Sequence, residues 1–494
     1  MMSSTNNLAV EVVPTPKIGW KSAARLRTLS VLMPAYNERL TLQRILNRVL
    51  SAPIALDLEI VVVDDGSTDG SWELLQELAQ DEPRIRPIRH ARNRGKGAAI
   101  RTAIEHMTGD VAVIQDADLE YDPHELPKLL ELILSGQADA VFGSRLRGEN
   151  RRAMHFWHAL ANSCLTLLSN VIFDLNLTDM ETCYKMVRAE VLRNLTLRGE
   201  RFNIEPELTG RLAQWGGPIF EVPVSYAGRT YDEGKKVGLR DGFQALFEML
   251  RCGFVDRRFT NHAGFYILTA MARAEKYNRW RIEKVQPYLG KRLLEAGAGI
   301  GNFSKLLLNR ERLVLIDSED LYVSRLHRRF GHFGHVHIAQ ADLTQPADFE
   351  RLLDEELDTI VSFNVLQHIE PDQTVLDNFF RVLQPGGHCV VGVPAGMGFY
   401  TGADAELGHY RRYEERELRR KLEAAGFEIV HSERFNRLGA LAWWISGKVF
   451  RRRTLSPRQI LWFDRMVGVV KLLEHVLPVP GMSLLVVGRR PEQP

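Results

Sequence analysis

The stretch VAVIQDADLEYDP, residues 111–123, joins an apolar run of four residues to a group of carboxylates. The run predicts a short buried strand. Asp116, Asp118 and Glu120 follow at alternate positions, which share one side of an extended segment and suit a hard cation such as Mg²⁺ or Mn²⁺. Pro123 predicts the start of a helix, so the acids are expected beyond the carboxyl end of a strand, where open α/β sheets bind ligands. A solvated acidic turn that caps the helix is the alternative.

Length and charge place this stretch in a large, ordinary globular chain. The 494 residues exceed what one hydrophobic core supports, so two or three domains are expected. A net charge of +2 carries no nucleic-acid signature. The four cysteines are far apart and form no CxxC pair, which indicates a reducing compartment rather than a disulfide framework or structural zinc. They are Cys164, Cys183, Cys252 and Cys389.

Membrane signals are weak in this sequence. Residues 1–28 form a polar tail without an apolar signal-peptide core, and no run of about 18 apolar residues predicts a transmembrane helix. A cytoplasmic protein is expected, with possible peripheral contact on the cytoplasmic face of a membrane. Met154–Phe173 is apolar but interrupted by His and Asn, and it suits either an interfacial helix or a core helix.

The first half of the chain alternates strand and helix patterns, which predicts a mostly parallel sheet with helices on both faces. Predicted strands cover residues 29–34, 59–63, 85–89, 111–115, 138–142 and 220–224, and predicted helices cover 39–50, 70–80, 124–134 and 245–252, with one more ending near 107.

Polar loops follow several of these strands. Asp64-Asp65-Gly-Ser is either a helix-capping turn or part of a ligand crevice shared with the acids of 111–123. The loop RNRGKG, residues 92–97, is either a solvated basic loop or a phosphate site at a helix N-terminus, with Lys96 as one of its cations.

These loops, taken in order, resemble the family 2 glycosyltransferases of the GT-A fold, and among them the dolichyl- or polyprenyl-phosphate sugar synthases. The resemblance covers about residues 29–250. The segments that carry it are PAYNE at 34–38, VVVDDGSTDGS at 61–71, RNRGKGAAIRTAI at 92–104, DADLEYDP at 116–123 and GSR at 143–145.

The resemblance implies roles for individual residues. Asp116, Asp118 and Glu120 would hold the metal, although the synthases often carry Gln where Glu120 stands. The residues implied to bind the nucleotide sugar are Pro34, Tyr36, Glu38, Asp64, Asp65, Lys96, Asp116 and Ala117.

Catalysis in such an enzyme rests on charge stabilisation. Arg229 and Lys235 match the spacing of a synthase loop that closes over the donor diphosphate and the acceptor phosphate, although a solvated hairpin is the alternative. Arg145 is a further candidate to neutralise an acceptor phosphate, and Asp118 completes the predicted catalytic set. Transfer to an ionised polyprenyl phosphate needs no strong base and inverts the anomeric carbon. A hydroxyl acceptor on a glycan would need a general base, which the sequence does not assign, although Glu205 is a candidate.

A second alternating pattern begins after residue 263 and predicts a second nucleotide-type α/β domain. Its expected elements are a helical segment 264–286, a PGG turn at 385–387 and a helical insert at about 438–478. The predicted strands are 292–295, 313–316, 335–340, 359–363, 389–393, 427–432 and 483–487, and the predicted helices are 373–383 and 414–425.

The glycine loop EAGAGIGN at 295–302 is by itself shared by NAD and S-adenosylmethionine sites. The whole series EAGAGIGN, Asp317, ADL at 341–343, NVLQHI at 364–369 and LQPGG at 383–387 resembles class I S-adenosylmethionine methyltransferases. By resemblance Asp317 would accept the ribose hydroxyls, Asp342 the adenine amine, and Asn364 would line the site. The full set implied to bind the cofactor is Glu295, Gly297, Gly299, Gly301, Asp317, Asp342, Leu343 and Asn364.

The sequence therefore predicts a bifunctional enzyme of two doubly wound α/β domains, at 29–250 and 263–494, joined by a linker at 251–262. A metal-dependent sugar transfer from a nucleotide sugar of the GDP-mannose or UDP-glucose type is expected beside a methyl transfer, in glycan or glycolipid synthesis. The acceptor is a polyprenyl phosphate or a glycan. The insert, with Trp443, reads as a lid, a membrane patch or an interface, and His409 as a base or a structural residue. The methyl acceptor and the oligomeric state are not readable.

Overall fold

The structure is a computed structural model that describes residues 26–147, 156–228, 239–256, 258–260, 262–446, 457–474 and 476–492. Its internal contacts divide the chain into two compact units between Arg273 and Ala274. Each unit contains one seven-stranded sheet with helices packed on it. The predicted pair of α/β folds is therefore confirmed.

The first sheet has the order β3-β2-β1-β4-β6-β5-β7. Pairs β1–β2, β1–β4, β2–β3 and β5–β7 are parallel, whereas β6 runs antiparallel to both of its neighbours. The strands are β1 (Thr28–Ala35), β2 (Asp57–Asp64), β3 (Ile85–Arg89), β4 (Val111–Ile114), β5 (Ala140–Ser144), β6 (Lys185–Arg188) and β7 (Ile219–Pro223).

Helices cover this sheet because their apolar residues recur at helical spacing. In the first of them, Leu42, Ile45, Leu46 and Val49 are buried, at i, i+3, i+4 and i+7. The helices of the first unit are α1 (Leu42–Ser51), α2 (Ser71–Asp81), α3 (Lys96–His106), α4 (Leu126–Leu134), α5 (Phe156–Phe173), α6 (Ala189–Asn194), α7 (Ile204–Trp215), α8 (Leu239–Leu250) and α9 (Ala263–Ala272).

The second sheet has the order β10-β9-β8-β11-β12-β14-β13. Its first five strands are parallel, and β14 runs antiparallel to β12 and β13. The strands are β8 (Arg292–Ala296), β9 (Arg312–Asp317), β10 (Val336–Gln340), β11 (Leu357–Phe363), β12 (Leu383–Pro394), β13 (Glu428–Phe435) and β14 (Ser483–Arg489).

One core cluster fills a face of the second sheet and includes Leu294, Val314, Ile360, Phe379 and Leu422. The chain order of its strands turns back at β8, so the carboxyl ends of β8 and β11 border a crevice typical of ligand binding. The helices are α10 (Glu275–Val285), α11 (Ser304–Leu307), α12 (Asp320–Phe330), α13 (Pro346–Glu350), α14 (Asp372–Val382), α15 (Gly402–Glu406), α16 (Glu415–Ala424), α17 (Arg437–Trp444), α18 (Pro457–Arg465) and α19 (Val467–Leu473).

Several predicted elements differ from the observed ones. The helical segment 264–286 is broken into α9 and α10, and Phe265 of α9 stacks on Trp215 of α7 at 4.2 Å between ring centroids, within the first unit. The PGG segment lies inside β12, opposite a register shift in β11, rather than in a turn between elements. Pro123 opens a short 3₁₀ turn, and α4 begins three residues later. The insert forms α17, α18 and α19 in its described part.

In the described ranges, the structure contains no helix whose length and apolarity would let it cross a membrane. All four cysteines are free, and Cys164 is the exposed one.

Candidate functional site

Two loops at the carboxyl edge of the first sheet are joined by side chains. Asn37 adopts a left-handed backbone (φ 54°), which asparagine tolerates better than most residues. Its N–H donates to the Ser67 hydroxyl at 2.9 Å, and its side-chain oxygen accepts from the N–H of Thr68 at 2.9 Å. The N–H of Glu38 donates to Ser71 at 3.0 Å. The PAYNE segment and the DDGSTDGS segment therefore form one continuous rim.

The predicted nucleotide residues of the first loop lie on this rim. Tyr36 is exposed over 37% of its surface, and Pro34 and Glu38 are partly buried. The Thr41 hydroxyl donates to the backbone oxygen of Ala117 at 2.9 Å, which brings the first loop against the acidic segment.

Asp65 holds the basic glycine loop in place. Its carboxylate accepts the N–H of Arg94 at 2.9 Å and the N–H of Gly95 at 2.7 Å, and it pairs with His90 Nδ1 at 2.7 Å. Both oxygens are thus engaged by the protein. This contact network accounts for the buried position of Asp65, and its role in nucleotide binding stays a prediction.

Asp64 has a different environment. It is 1% exposed, and its Oδ2 lies 3.4 Å from Arg89 Nε and accepts the N–H of Ser67 at 3.3 Å. Its Oδ1 is buried without a hydrogen-bond partner. A buried carboxylate oxygen without a donor is unfavourable, so this atom is a natural acceptor for an N–H or O–H group of a ligand.

The glycine loop lies directly on a second backbone segment. A Cβ on Gly97 would stand 2.4 Å from the carbonyl oxygen of Gly199, so only glycine allows this approach. Ala98 donates its N–H to the carbonyl oxygen of Glu200 at 3.0 Å. Glu207 in turn accepts the N–H of Gly199 at 2.6 Å and fixes that segment.

Lys96 extends from this loop to the acidic stretch. Its Nζ lies 2.8 Å from Asp116 and 3.1 Å from Glu205, and the other oxygen of Glu205 accepts from Lys185. Burial lowers the pKa of Lys96, but the carboxylates of Asp116 and Glu205 outweigh it, so the pKa lies well above its usual value. Glu205 is the counterion of two ammonium groups, an arrangement that does not suit the base role considered for it.

The acidic segment is bent rather than extended. Asp118, which is nearly buried, accepts the N–H of Glu120 at 3.1 Å, and Glu120 accepts from the Tyr226 hydroxyl at 2.7 Å. The expected alternation of Asp116, Asp118 and Glu120 along one side of a strand is therefore wrong, because β4 ends at Ile114.

The donor chemistry still suits a hard cation, since these side chains offer carboxylate oxygens. Within the described ranges, however, the only three ligand atoms within 4.8 Å of one another belong to Glu207, Glu248 and Cys252. Arg251 already donates to both of those glutamates, so an ion pair network explains that cluster.

Arg145 is held by a fully buried partner. Its Nε and Nη2 donate to the two oxygens of Asp179 at 2.7 Å each, and its guanidinium lies 5.1 Å from the Tyr226 ring centroid. Burial raises the pKa of Asp179, but Arg145 outweighs it and lowers the pKa below its usual value. Arg145 is thus an oriented cation whose charge is already shared. Arg229 and Lys235 lie outside the described residues.

Glu181 was missed by the sequence analysis. Its Oε1 is buried without a hydrogen-bond partner, and burial raises its pKa to about 7. The ionised groups that act on it are Lys185, Glu205, Arg145 and Asp179.

In the second unit the glycine loop follows β8 and requires left-handed backbone. Gly297, Gly299 and Gly301 have φ values of 76°, 55° and 80°. A Cβ on Gly297 would stand 2.3 Å from the side chain of Val365. Gly297 therefore keeps the loop close to the segment after β11, and Gly301 keeps it close to Phe330 of α12, as a site for a ligand against the backbone requires.

Two acids border this loop. Glu295 is 3% exposed and accepts from the Ser304 hydroxyl at 2.6 Å, and burial raises its pKa to about 8. Asp317 accepts the N–H groups of Gly299 at 2.8 Å and Glu319 at 3.1 Å, and burial raises its pKa to about 6. Each Asp317 oxygen keeps acceptor capacity for a hydroxyl group, because a carboxylate oxygen has two lone pairs.

The other predicted cofactor residues lie at the ends of β10 and β11. Asp342 is exposed and accepts the N–H and hydroxyl of Thr344, whereas Leu343 is in the core. Asn364 has a left-handed backbone (φ 57°) and donates its N–H to the carbonyl oxygen of Gly392 at 2.7 Å.

The segment around His409 is internally paired. His409 Nδ1 lies 2.9 Å from Asp404, which also binds the Arg412 guanidinium at 2.8 Å. These contacts explain His409 as a structural residue. Trp443 of the insert donates to the carbonyl oxygen of Phe399 at 3.1 Å.

The two sites define a chain with two transferase units, one with the loops of a nucleotide-sugar enzyme and one with the glycine loop of a methyltransferase. The chain belongs, through its first unit, to glycosyl transferase family 2, whose model matches residues 30–196. A methyltransferase domain model matches residues 272–432. The chain is thus a glycosyltransferase with a methyltransferase domain, as the sequence analysis predicted.

Known proteins resemble the first unit. An undecaprenyl-phosphate mannosyltransferase of Micrococcus luteus is 30% identical over 246 residues, which cover 47% of this chain and 96% of that protein. A dolichol-phosphate mannosyltransferase of Pyrococcus furiosus is 32% identical over 228 residues, or 45% of this chain and 62% of the relative, so the chain spans less than two thirds of that relative. A glucosyl-3-phosphoglycerate synthase of Mycobacterium tuberculosis, solved with Mn²⁺ and UDP, is 22% identical with a TM-score of 0.38, covering 47% of this chain and 81% of that one.

Proposed function

We propose that the first unit transfers a sugar from a nucleotide sugar to a polyprenyl phosphate with inversion at the anomeric carbon. The observation that carries this proposal is the rim built by the PAYNE and DDGSTDGS segments around the buried, unpartnered Oδ1 of Asp64. That oxygen can accept a hydrogen bond from an N–H or O–H group of the nucleotide. The names of the Micrococcus and Pyrococcus relatives support a lipid-phosphate acceptor.

Each charged residue of the first unit has a separate proposed role in the sugar transfer. Asp116 and Asp118 would hold Mg²⁺ or Mn²⁺, with Glu120 as a third ligand; the ion supplies positive charge to the departing diphosphate. Lys96 places a second positive charge beside Asp116. Arg145, oriented by Asp179, faces the acceptor phosphate, while Arg229 and Lys235 are proposed to close over both. The acceptor oxygen bonds to the anomeric carbon as the bond to the diphosphate breaks.

An apolar face of the first unit supports a membrane-borne acceptor. In α5, Trp157 is 75% exposed and Val171 is 73% exposed. In α8, Phe243 is 72% exposed and Phe247 is 68% exposed. The two helices pack on each other. We propose that their exposed apolar side chains form a common surface, here called the α5/α8 face. We propose that this face rests on the cytoplasmic surface of a lipid bilayer.

The test is a transfer assay with labelled GDP- and UDP-sugars, Mn²⁺ or Mg²⁺, and polyprenyl phosphate in detergent. We expect label in the organic phase, reduced at least about 100-fold in Asp118→Asn. Asp122→Asn is the matched control, because Asp122 lies in the same segment but binds His124. Donor hydrolysis without organic-phase label would contradict the polyprenyl acceptor.

Glu181 supports a second candidate, a hydroxyl acceptor on a glycan, because a carboxylate with a pKa of about 7 and an unpartnered oxygen suits a general base. The two candidates separate in the variant Glu181→Gln. Transfer to an ionised phosphate changes less than about threefold, whereas base-dependent transfer falls by about 10²- to 10⁴-fold.

We propose that the second unit binds S-adenosylmethionine at the loop after β8 and transfers its methyl group, which the sulfonium centre activates. Gly297, Gly299 and Gly301 admit the ligand to the backbone, and Asp317 accepts the ribose hydroxyls. Asp342 and Asn364 lie at the ends of the adjoining strands, where the adenine and the methyl group are expected. Methylation of the same glycan or glycolipid is the proposed pathway.

Binding of S-adenosylhomocysteine, followed by calorimetry, tests this site. Gly297→Ala should weaken the binding of S-adenosylhomocysteine at least about tenfold. The added Cβ would collide with Val365, and alanine disfavours the left-handed φ of 76° found at this position. Gly334→Ala is the matched control, since a Cβ there has no neighbour within 4 Å. Equal affinities of the two variants would contradict the assignment.

A further inference from the structure

Arg281 of α10 lies in the interior of the second unit. It is 4% exposed, and three aromatic rings surround its guanidinium. The guanidinium carbon stands 4.6 Å from the ring centroid of Phe363, 4.9 Å from that of Phe303 and 5.9 Å from that of Tyr277. Aromatic faces stabilise a cation, but they do not satisfy its five N–H donors.

The charge of Arg281 has no acidic partner in the described ranges of the chain. No carboxylate oxygen lies within 4.0 Å of it there, and its hydrogen bond there is a long one, 3.4 Å to the side-chain oxygen of Asn364. Its Nε is buried without a partner. Burial lowers the pKa of Arg281 below its usual value.

Other buried arginines of this protein are paired. Arg211 lies 3.0 Å from Asp256, and Arg412 lies 2.8 Å from Asp404. A buried cation without such a partner destabilises the folded chain, because its lost hydration is not replaced. The exception at Arg281 therefore indicates that the missing anion arrives with a ligand.

The position of Arg281 shows where that ligand binds. Phe303 follows the glycine loop, Phe363 ends β11, and Asn364 is a predicted cofactor residue. A Cβ on Gly392 of β12 would stand 2.3 Å from the Phe363 ring and 3.5 Å from Arg281 Nη2, so this glycine makes way for Phe363 and brings the end of β12 beside the guanidinium. The cation thus lies at the carboxyl edge of the sheet, next to the proposed cofactor site.

We propose that Arg281 is the receptor for a carboxylate group of a molecule bound beside the glycine loop. A guanidinium binds a carboxylate through two parallel hydrogen bonds, which meets both the unpaired donors and the uncompensated charge. The carboxylate comes either from the methionine part of S-adenosylmethionine or from an acidic methyl acceptor. The first source rests on the proposed function of the second unit.

Two ligands that differ by one group separate these sources. S-adenosylhomocysteine and its decarboxylated analogue, S-adenosyl-3-thiopropylamine, are titrated calorimetrically into the full chain and into Arg281→Met. We expect the variant to lose about tenfold to a hundredfold in affinity for S-adenosylhomocysteine and less than about threefold for the analogue. The matched control is Lys284→Met, which removes a cation of the same helix that also faces aromatic rings but is paired with Glu433.

The second arm uses malonate as a simple dicarboxylate probe, measured by its shift of the melting temperature with and without the nucleoside. If both nucleosides bind Arg281→Met as they bind the wild type, and malonate stabilises only the wild type, the carboxylate belongs to the methyl acceptor. If both nucleosides bind the two proteins equally and malonate raises the melting temperature of both proteins by the same amount, the inference is overturned.

The stability of the ligand-free variant excludes a purely structural role. Replacing an unpaired buried cation by an apolar side chain should leave the melting temperature unchanged or raise it. A fall of more than about 5 °C, with both nucleosides weakened equally, would overturn the inference. A wild type that binds no S-adenosylhomocysteine would contradict the cofactor proposal instead, and the malonate arm, which needs no nucleoside, would still decide the role of Arg281.

Discussion

Glu295 carries a proton at neutral pH because its carboxyl group is buried at the end of β8. Its pKa of about 8 exceeds that of an exposed glutamate, so between about pH 5 and pH 8 the folded chain binds a proton that the unfolded chain has released. Its contribution to the free energy of unfolding is therefore largest at the acidic side of this window and decreases as the pH rises. Asp317, with a pKa of about 6, acts in the same direction.

We expect the melting temperature of the second unit to fall between pH 6 and pH 9 in the wild type, and to fall less in Glu295→Gln. The amide keeps an acceptor for the Ser304 hydroxyl but cannot ionise. The difference corresponds to at most about 1.4 kcal/mol per pH unit across the window. Calorimetric scans at several pH values measure it, and parallel curves for the two proteins would contradict the burial of a protonated Glu295.

Single residues show how far the sequence leads. The acids and glycines of both sites were recognised because their spacing is local. The roles of Asp65, which anchors the glycine loop, and of Lys185, which pairs with Glu205, were not, because they depend on residues far away in the chain. Arg281 gave no signal, since an arginine in a helix normally faces solvent.

At the scale of elements, the α5/α8 face is the feature with a direct physical test. Phe243 and Phe247 are 72% and 68% exposed, and burying each ring in lipid contributes favourable free energy in proportion to its area. We expect Phe243→Ser/Phe247→Ser to reduce binding to phospholipid vesicles about tenfold or more, measured by cosedimentation.

Leu40→Ser is the control for that experiment, because Leu40 is 89% exposed in the same unit but lies outside the α5/α8 face. Vesicle binding unchanged by the double substitution, or lost equally in the control, would exclude the face as the membrane contact.

Most elements were predictable because their apolar periodicity is strong, as in β2 and α1. Strand β6 was not. Its four residues, KMVR, include two cations, and a charged residue in a central strand contradicts the usual pattern. Lys185 is tolerated there because Glu205 supplies its counterion. Glu205 lies on α7, a helix that the sequence analysis did not predict. This strand depends on an ion pair between residues far apart in the chain, which a local sequence pattern does not reveal.

The whole molecule joins two transferase units in one chain. Covalent fusion raises the effective concentration of one unit's product near the other. We propose that the two reactions modify one glycan or glycolipid. A one-pot assay with labelled sugar and labelled S-adenosylmethionine should place both labels in one product, at a rate above that of an equimolar mixture of Asp118→Asn and Gly297→Ala. If the sugar label and the methyl label never occur in the same product, the shared pathway is contradicted.

Strand β6 is made after both strands that it joins, β4 and β5. Strands β5 and β7 join the rest of the sheet only through this four-residue strand, which arrives about forty residues after β5. The glycine loop, made early, lies against Gly199 and Glu200, which are made about a hundred residues later. A nascent chain that ends before residue 199 thus has all the donor-site motifs and the contacts of Asp65 with the loop, but it lacks the backbone on which Gly97 and Ala98 pack. We therefore expect the first unit to bind its ligand only after residues 199 and 200 have been made and have packed on the glycine loop.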